Sequence, residues 1–352
     1  MQWSIDKMFD LIIQQKASDI VFVPAASPVV WVSGMMQQIE AEPLTPEDIK
    51  TIFEPMLTPV QRERLDQTGD VDFAIGKSGV GRFRINVHRQ RDSLSATLRY
   101  VPHEAIAFEK LKLPQRILQF ADLPHGLVLV TGGTATGKSS TLAAMIEYIN
   151  STYAYHLVTL EDPIEFTFRH RKSIIEQREI GQDSPSFASA LKHVVRQRPD
   201  VILVGEMRDL ETISAALTAA EIGHLVLASL HTIDAVQTIG RIIDVFPAAQ
   251  QMQIRVQLAG TLQGVVCHTL FHDQLDGGLV PAAEIMVATG AIRRAIRDNE
   301  THLLSGMIET GKALGMQTMD SSIAELAKAG RILPEQAIAA AHNTEKLSRL
   351  IA

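Results

Sequence analysis

The chain has 352 residues, 46% of them hydrophobic and 21% charged, which is enough for two domains with cores of their own and excludes a mainly disordered protein. Its one cysteine, Cys267, excludes a disulfide scaffold and a cysteine-rich zinc module, and it fits a reducing compartment as a small buried apolar residue. The net charge of −7 argues against a broad nucleic-acid surface. Residues 4–15 place Ile5, Met8, Phe9, Ile12 and Ile13 on one helical face, and this spacing with an early Asp6 is unlike a secretory signal peptide. Ser18-Asp19 leads into two short β-like runs, Ile20–Val23 and Val29–Val32, set off by Pro24, Pro28 and Gly34. Thr45-Pro46-Glu47-Asp48 and Thr58-Pro59 each read as a helix N-cap with proline at the first position. Asp70–Ile75, Gly81–Val87 and Ser93–Tyr100 then alternate like antiparallel strands. These elements predict an α+β domain over 1–102, followed by a linker over 103–110.

From Leu111 to Ala352 the pattern changes. Buried-strand runs at Leu127–Thr131, His156–Leu160, Val201–Val204 and Leu225–Ser229 alternate with helical runs at Ser139–Asn150, Ser186–Arg196 and Leu210–Glu221. Near-continuous apolar strands separated by helices predict an α/β domain with a mostly parallel sheet covered on both faces. After about residue 245 the pattern reads as mostly helical. No apolar run reaches the ~18 residues of a membrane span, so any membrane association goes through a partner.

Chemistry enters between the first of these strands and its helix. Gly132-Gly133-Thr134-Ala135-Thr136-Gly137-Lys138-Ser139 matches G-x-x-x-x-G-K-[ST] in the required strand–helix context, with Ser140 following. Small residues let backbone N–H groups wrap phosphates, and the helix N-terminus adds positive potential. Lys138 can reach the β- and γ-phosphates of a nucleoside triphosphate, and the Ser139 hydroxyl can ligate Mg2+. Asp200–Glu206 is a second element: four apolar residues bury a central strand, and Glu206 emerges at its C-terminal end as the candidate that positions the attacking water. Asp200, at the far end, reads as structural. The acidic turn Thr159–Glu165 carries Glu161, Asp162 and Glu165 to the same sheet edge. Gly223–Thr232 flanks a buried strand with His224 and His231, and His231 falls on the edge with Glu206.

These four elements, in this order, resemble the secretion ATPase superfamily, the RecA-like ring motors of type II secretion and type IV pili. Within it the chain resembles the type IV pilus retraction ATPases. The finer match lies in Gly205–Thr212, Arg241–Pro247, Ala291–Arg297 and Gly315–Asp320. The resemblance implies a RecA-like P-loop ATPase domain behind a PAS-like N-terminal domain, with ATP and Mg2+ as cofactors. It implies a cytoplasmic homohexamer acting on the inner-membrane platform protein of a pilus, with a paralogous retraction ATPase as a further partner and no nucleic acid. It assigns Glu161 to the metal and its waters, His231 to the terminal phosphate, and Arg84 and Arg99 to the same phosphate when the N-terminal domain closes. Ala291–Arg297 is similar to a family motif associated with retraction rather than with ATP binding.

Departures from the family pattern are informative. Gly133, Ala135, Thr136 and Ser140 replace Pro, Gly, Ser and Thr in the loop, and glycine at 135 would take a positive φ at little cost. Arg196-Gln197-Arg198-Pro199 stands where an acidic residue is common, and Val21-Phe22-Val23 lacks the usual histidine. Two other readings share the phosphate chemistry. One is an accessory ATP-binding subunit with little turnover, motivated by the altered loop. The other is a nucleic-acid translocase, disfavoured by the charge and by the lack of an aromatic–basic stretch.

Overall fold

The structure is a computed structural model and describes residues 4–32, 35–77, 81–101 and 106–351. It divides into two compact units, Met1–Glu104 and Ala105–Ala352. The expected turn at Gly34 and residues 103–105 of the expected linker lie outside the described residues.

The first unit holds helices α1 (Ile5–Gln14), α2 (Pro46–Phe53) and α3 (Pro59–Thr68) and strands β1 (Asp19–Phe22), β2 (Val29–Val32), β3 (Met35–Gln38), β4 (Asp70–Lys77), β5 (Gly81–Gln90) and β6 (Ser93–Val101). The strands form one antiparallel sheet in the order β3-β2-β1-β6-β5-β4. Thr45 and Thr58 cap α2 and α3 with full capping boxes, each with proline in the first turn. That local chemistry contributes about 1 kcal/mol per cap and explains why both starts are legible in the sequence. Met8, Phe9 and Ile12 of α1 join the core under the sheet, and Phe9 stacks on Phe83 at 3.9 Å. Ile13, expected on the same face, is 38% exposed, because it falls at the edge of a narrow stripe. β3 was not expected: all four of its residues are exposed, so it carries no buried alternation to read.

The second unit contains β7 (Gly126–Gly132), α4 (Lys138–Thr152), β8 (His156–Glu161), β9 (Ile174–Glu179), α5 (Phe187–Val194), β10 (Val201–Val204), α6 (Leu210–Glu221), β11 (Leu225–Leu230), α7 (Ala235–Asp244) and α8 (Ala248–Thr261). There follow β12 (Leu262–His272), β13 (Leu279–Val287), α9 (Gly290–Arg297), α10 (Leu304–Thr310), α11 (Met319–Lys328), α12 (Pro334–Ala339) and α13 (Thr344–Ile351). The sheet order is β13-β12-β7-β11-β10-β8-β9; every pair is parallel except β12 with β13. The central strands β7, β10 and β11 are buried at every residue, which fixes them between two helical layers. After residue 245 the described elements are mostly helical, as expected, but β12 and β13 interrupt them and were not foreseen. β12 is apolar on both faces, so its pattern does not separate a buried strand from a buried helix.

Polar side chains tie the later elements to the sheet. Both Glu284 oxygens receive helix N–H groups, from Ala235 at the start of α7 and Met319 at the start of α11 (2.8 and 3.3 Å). Asp320 accepts from the N–H groups of His342 and Asn343 (2.8 and 2.9 Å). In the Ala291–Arg297 stretch, Arg293 donates to the carbonyls of Ala259, Gly260 and Ala288 and to Gln263, closing the C-terminal end of α8. Arg294 and Arg297 of the same helix stay exposed beside Asp298. Asp273 and Asp276, in the β12–β13 connection, bind both Lys112 and Arg331.

Candidate active site

Parallel strands carry their C-terminal ends to one sheet edge, and the connections after β7, β8, β10 and β11 all open there. They enclose a cavity of about 410 Å3 lined by Thr134, Ala135, Lys138, Ser139, Glu161 and Glu206, together with His231. Four segments far apart in the chain thus meet in one place.

The phosphate loop is preformed. Gly132 has φ 144°, and a Cβ there would lie 2.6 Å from the His268 carbonyl and 2.5 Å from Thr136 Oγ1. Only glycine fits that approach. Thr136 Oγ1 donates to the Gly133 carbonyl at 2.9 Å, bracing the loop from inside. Gly137 precedes α4, whose first residues are Lys138, Ser139 and Ser140, so the helix starts where the loop ends. Ala135 adopts φ 60°. The loop therefore keeps its left-handed bend with a residue that bears a Cβ, at a cost of about 1–2 kcal/mol relative to glycine.

A continuous polar chain crosses the cavity. Lys138 Nζ donates to the carbonyls of Gly132 (3.0 Å) and Gly133 (2.6 Å) and lies 3.4 Å from His231 Nδ1. His231 Nε2 is 3.1 Å from Glu206 Oε1. The same Glu206 oxygen accepts from Arg208 Nε at 2.5 Å. Burial by itself raises the Glu206 carboxyl, but the Arg208 guanidinium and the His231 ring outweigh it and hold it below its ordinary range. Burial lowers the Lys138 ammonium, with Glu206 and Glu165 opposing the shift.

Glu161, at the end of β8, is 8% exposed and accepts from Thr159 Oγ1 (2.6 Å), Gln177 Nε2 (3.2 Å) and the Glu165 N–H (3.4 Å). Burial raises its carboxyl, and the Thr159 and Gln177 bonds work against that rise. These three donors are all neutral. Asp162, Glu165 and Arg208 line the cavity too.

The sequence-derived residues separate cleanly. Lys138, Glu206 and His231 are in contact, with Ser139 and Glu161 in the same cavity. Arg84 and Arg99 belong to the first unit, where they sit directly opposite each other on β5 and β6. Arg99 Nε bonds Asp19 Oδ1 at 2.7 Å. Asp200 is structural as expected, accepting the His156 N–H at 2.8 Å. His224 immediately precedes β11 at the opposite sheet edge and bonds the Pro199 carbonyl at 2.7 Å, which assigns it to the scaffold. Arg198, in the altered Arg196–Pro199 stretch, takes φ 56°. Cys267 is fully buried and receives the Thr131 hydroxyl at 3.1 Å. Sequence reasoning missed the roles of Arg208, Thr159 and Gln177. Arg208 and Thr159 each act on a carboxylate two residues away, Glu206 and Glu161, and Gln177 reaches Glu161 from the neighbouring strand β9.

Comparison with known proteins agrees with this geometry. Residues 1–305 match the family model described as type II/IV secretion system protein. The chain is 43% identical over 322 residues to a twitching motility protein of Neisseria gonorrhoeae, covering 92% of this chain and 86% of the relative. It is 41% identical over 324 residues to the type IV pilus retraction ATPase PilT of Pseudomonas aeruginosa, covering 92% and 94%. A crystal structure of the pilus retraction motor PilT with bound ADP superposes with a TM-score of 0.91 at 43% identity, over 99% of each chain.

Proposed function

The chain belongs to the type II/IV secretion system protein family, and from that premise we propose that it is an ATP-hydrolysing motor of type IV pilus retraction, the pilin disassembly that drives twitching motility. One observation carries the reading: the phosphate-loop lysine, His231 and Glu206 form a bonded chain across a single cavity at the strand ends.

The chemistry follows from the residues. Loop amides and Lys138 hold the phosphates of ATP. Glu206 is ionised at neutral pH and orients the attacking water, while His231, bonded to both Glu206 and Lys138, senses the terminal phosphate. The donor set suits Mg2+. Among the described residues no cluster of three or more His, Cys, Asp or Glu side chains forms a protein cage. The Ser139 hydroxyl and the Glu161 carboxylate instead share the cavity with Asp162 and Glu165, and Mg2+ takes few protein ligands when substrate phosphates complete its shell. Bound there, the ion neutralises charge on the phosphates. Arg84 and Arg99 are like charges opposed across a strand pair, which is destabilising until an anion joins them, and Asp19 satisfies only one. That supports their role toward a terminal phosphate.

The motor works as a cytoplasmic homohexamer on the inner-membrane platform protein of the pilus, with a paralogous retraction ATPase as a further partner. It reaches the membrane through that machinery: among the described residues no helix is long and apolar enough to cross a bilayer. The test is light scattering and Mg2+-dependent phosphate release on the purified chain beside Lys138→Ala and Glu206→Gln, followed by twitching of a retraction-deficient strain supplied with the chain. A hexamer whose turnover is lost in both variants, and which restores twitching, is the expected result. Wild-type-like turnover in either variant would sink the assignment.

Ala135 favours one second reading, an accessory subunit with low intrinsic turnover, because strain sits in the loop that must grip the phosphates. A ring that binds ATP but barely hydrolyses it, and that gains turnover on Ala135→Gly, would select that reading.

A further inference from the structure

Lys138 spends all three of its N–H groups inside the protein: on the Gly132 carbonyl, the Gly133 carbonyl and His231. A lysine that turns toward a triphosphate withdraws donors from those carbonyls. Gly132 is buried, and a buried carbonyl left without a donor is costly. Another donor must replace Lys138, or the gain from binding phosphate is partly cancelled.

His268 lies on β12 in register with Gly132 on β7. It is 2% exposed, and its Nε2 is buried with no hydrogen-bond partner among the described residues. Its direction follows from strand alternation. Val266, two residues earlier, packs in the core on the α4 side with Leu142 and Met145. Leu270, two residues later, has a methyl carbon 3.8 Å from where a Cβ of Gly137 would lie. The imidazole between them therefore faces the start of α4, while Cys267 turns to the other side of the sheet. Burial and the nearby Lys138 charge hold the ring down at about 4, so at neutral pH it is an uncharged donor–acceptor. An unpaired polar atom in a packed core calls for a function, since it lowers the stability of the nucleotide-free protein.

We propose that His268 is a positioning residue of the phosphate loop: its Nε2–H takes over the Gly132 carbonyl when ATP phosphates draw Lys138 away. The exchange keeps the loop carbonyl satisfied in both states, so Lys138 is free to move. Its cost is an unpaired imidazole in the empty state. The inference rests on the nucleotide-binding reading of the cavity.

The test uses the full-length chain with His268→Leu, which keeps bulk without a polar atom, and His268→Gln, which keeps a neutral donor. Melting is followed without nucleotide, and affinity by titration with a fluorescent ATP analogue. His268→Leu is expected to melt at or above the wild-type temperature, because the orphaned group is gone. Its ATP affinity falls about tenfold, the worth of one buried hydrogen bond. His268→Gln recovers affinity to within about threefold of wild type, since it restores the bond. Opposite signs in stability and affinity are what a packing role would not produce. Unchanged affinity in His268→Leu, equal losses in both variants, or a Leu variant that melts well below wild type would each overturn the proposal while wild-type binding stands. A wild-type chain that binds no analogue would remove the underlying reading, and this proposal with it.

Discussion

Gly205 joins β10 to Glu206, and the structure gives it a steric reason to be glycine. A Cβ at that position would lie 3.1 Å from the Leu160 carbonyl oxygen and 3.3 Å from the Glu161 Cα. The Gly205 N–H already donates to that carbonyl at 2.7 Å, and its own carbonyl accepts the Ser229 hydroxyl at 2.5 Å. The ends of β8, β10 and β11 thus converge on one residue. Gly205→Ala must push β10 and β8 apart by about 0.3 Å to restore ordinary contact, against backbone that cannot swing aside. Overpacking of this kind costs about 1–3 kcal/mol of stability. A misplacement of 1 Å near the chemistry costs about a hundredfold, so a shift of a few tenths of an ångström costs about fourfold in kcat. The phosphate loop hangs from β7, so KM for ATP stays near wild type. Steady-state phosphate release and a thermal melt on the same sample read both effects. A wild-type kcat with an unchanged melt, or a loss expressed in KM instead, would refute the reasoning.

Glu206→Gln is expected to lower kcat by about 10²–10⁴ while ATP binding persists, measured by single-turnover hydrolysis and nucleotide titration. Because Arg208 and His231 hold this carboxyl below its ordinary value in the nucleotide-free chain, the acid limb of wild-type kcat/KM due to Glu206 lies below the ordinary carboxylate range. Asp273, gripped by Arg331 and Lys112, has its carboxyl pulled down on folding. A depressed carboxylate stabilises the fold above the unfolded-state value and loses that contribution as pH falls through the folded-state value. Asp273→Asn should therefore lower the melting temperature at pH 7 and converge with wild type in strong acid; parallel melting curves at all pH values would contradict this. Burial pushes the Cys267 thiol well up, so the native chain should resist a thiol reagent at pH 8 and release one equivalent in denaturant.

Much of this was legible in the sequence because local chemistry dictates it. Thr45-Pro46 and Thr58-Pro59 carry their own capping groups, and Val201–Val204 can only be a buried strand. The phosphate loop declares itself through glycine, lysine and serine spacing, each residue type required by backbone approach or by charge. Other features are silent in one dimension. β9 alternates weakly at a sheet margin, β3 is wholly exposed, and β12 is apolar on both faces. His224 and His231 bracket one strand and look alike in sequence, yet strand direction sends one to the scaffold edge and the other to the cavity.

By itself, then, the sequence determined the α/β architecture of the ATPase unit, the phosphate loop and the acidic and histidine elements, because these rest on residue type, short spacing and the periodicity of burial. Tertiary structure alone decided that Lys138, His231 and Glu206 touch, that Arg208 shares the Glu206 oxygen, and that His268 lies in register with Gly132 with its Nε2 unpaired among the described residues. Apart from the Arg208–Glu206 pair, two residues apart, those contacts join residues tens of positions apart. They depend on the order β12-β7-β11-β10-β8, which packing of both sheet faces selects and no local pattern encodes.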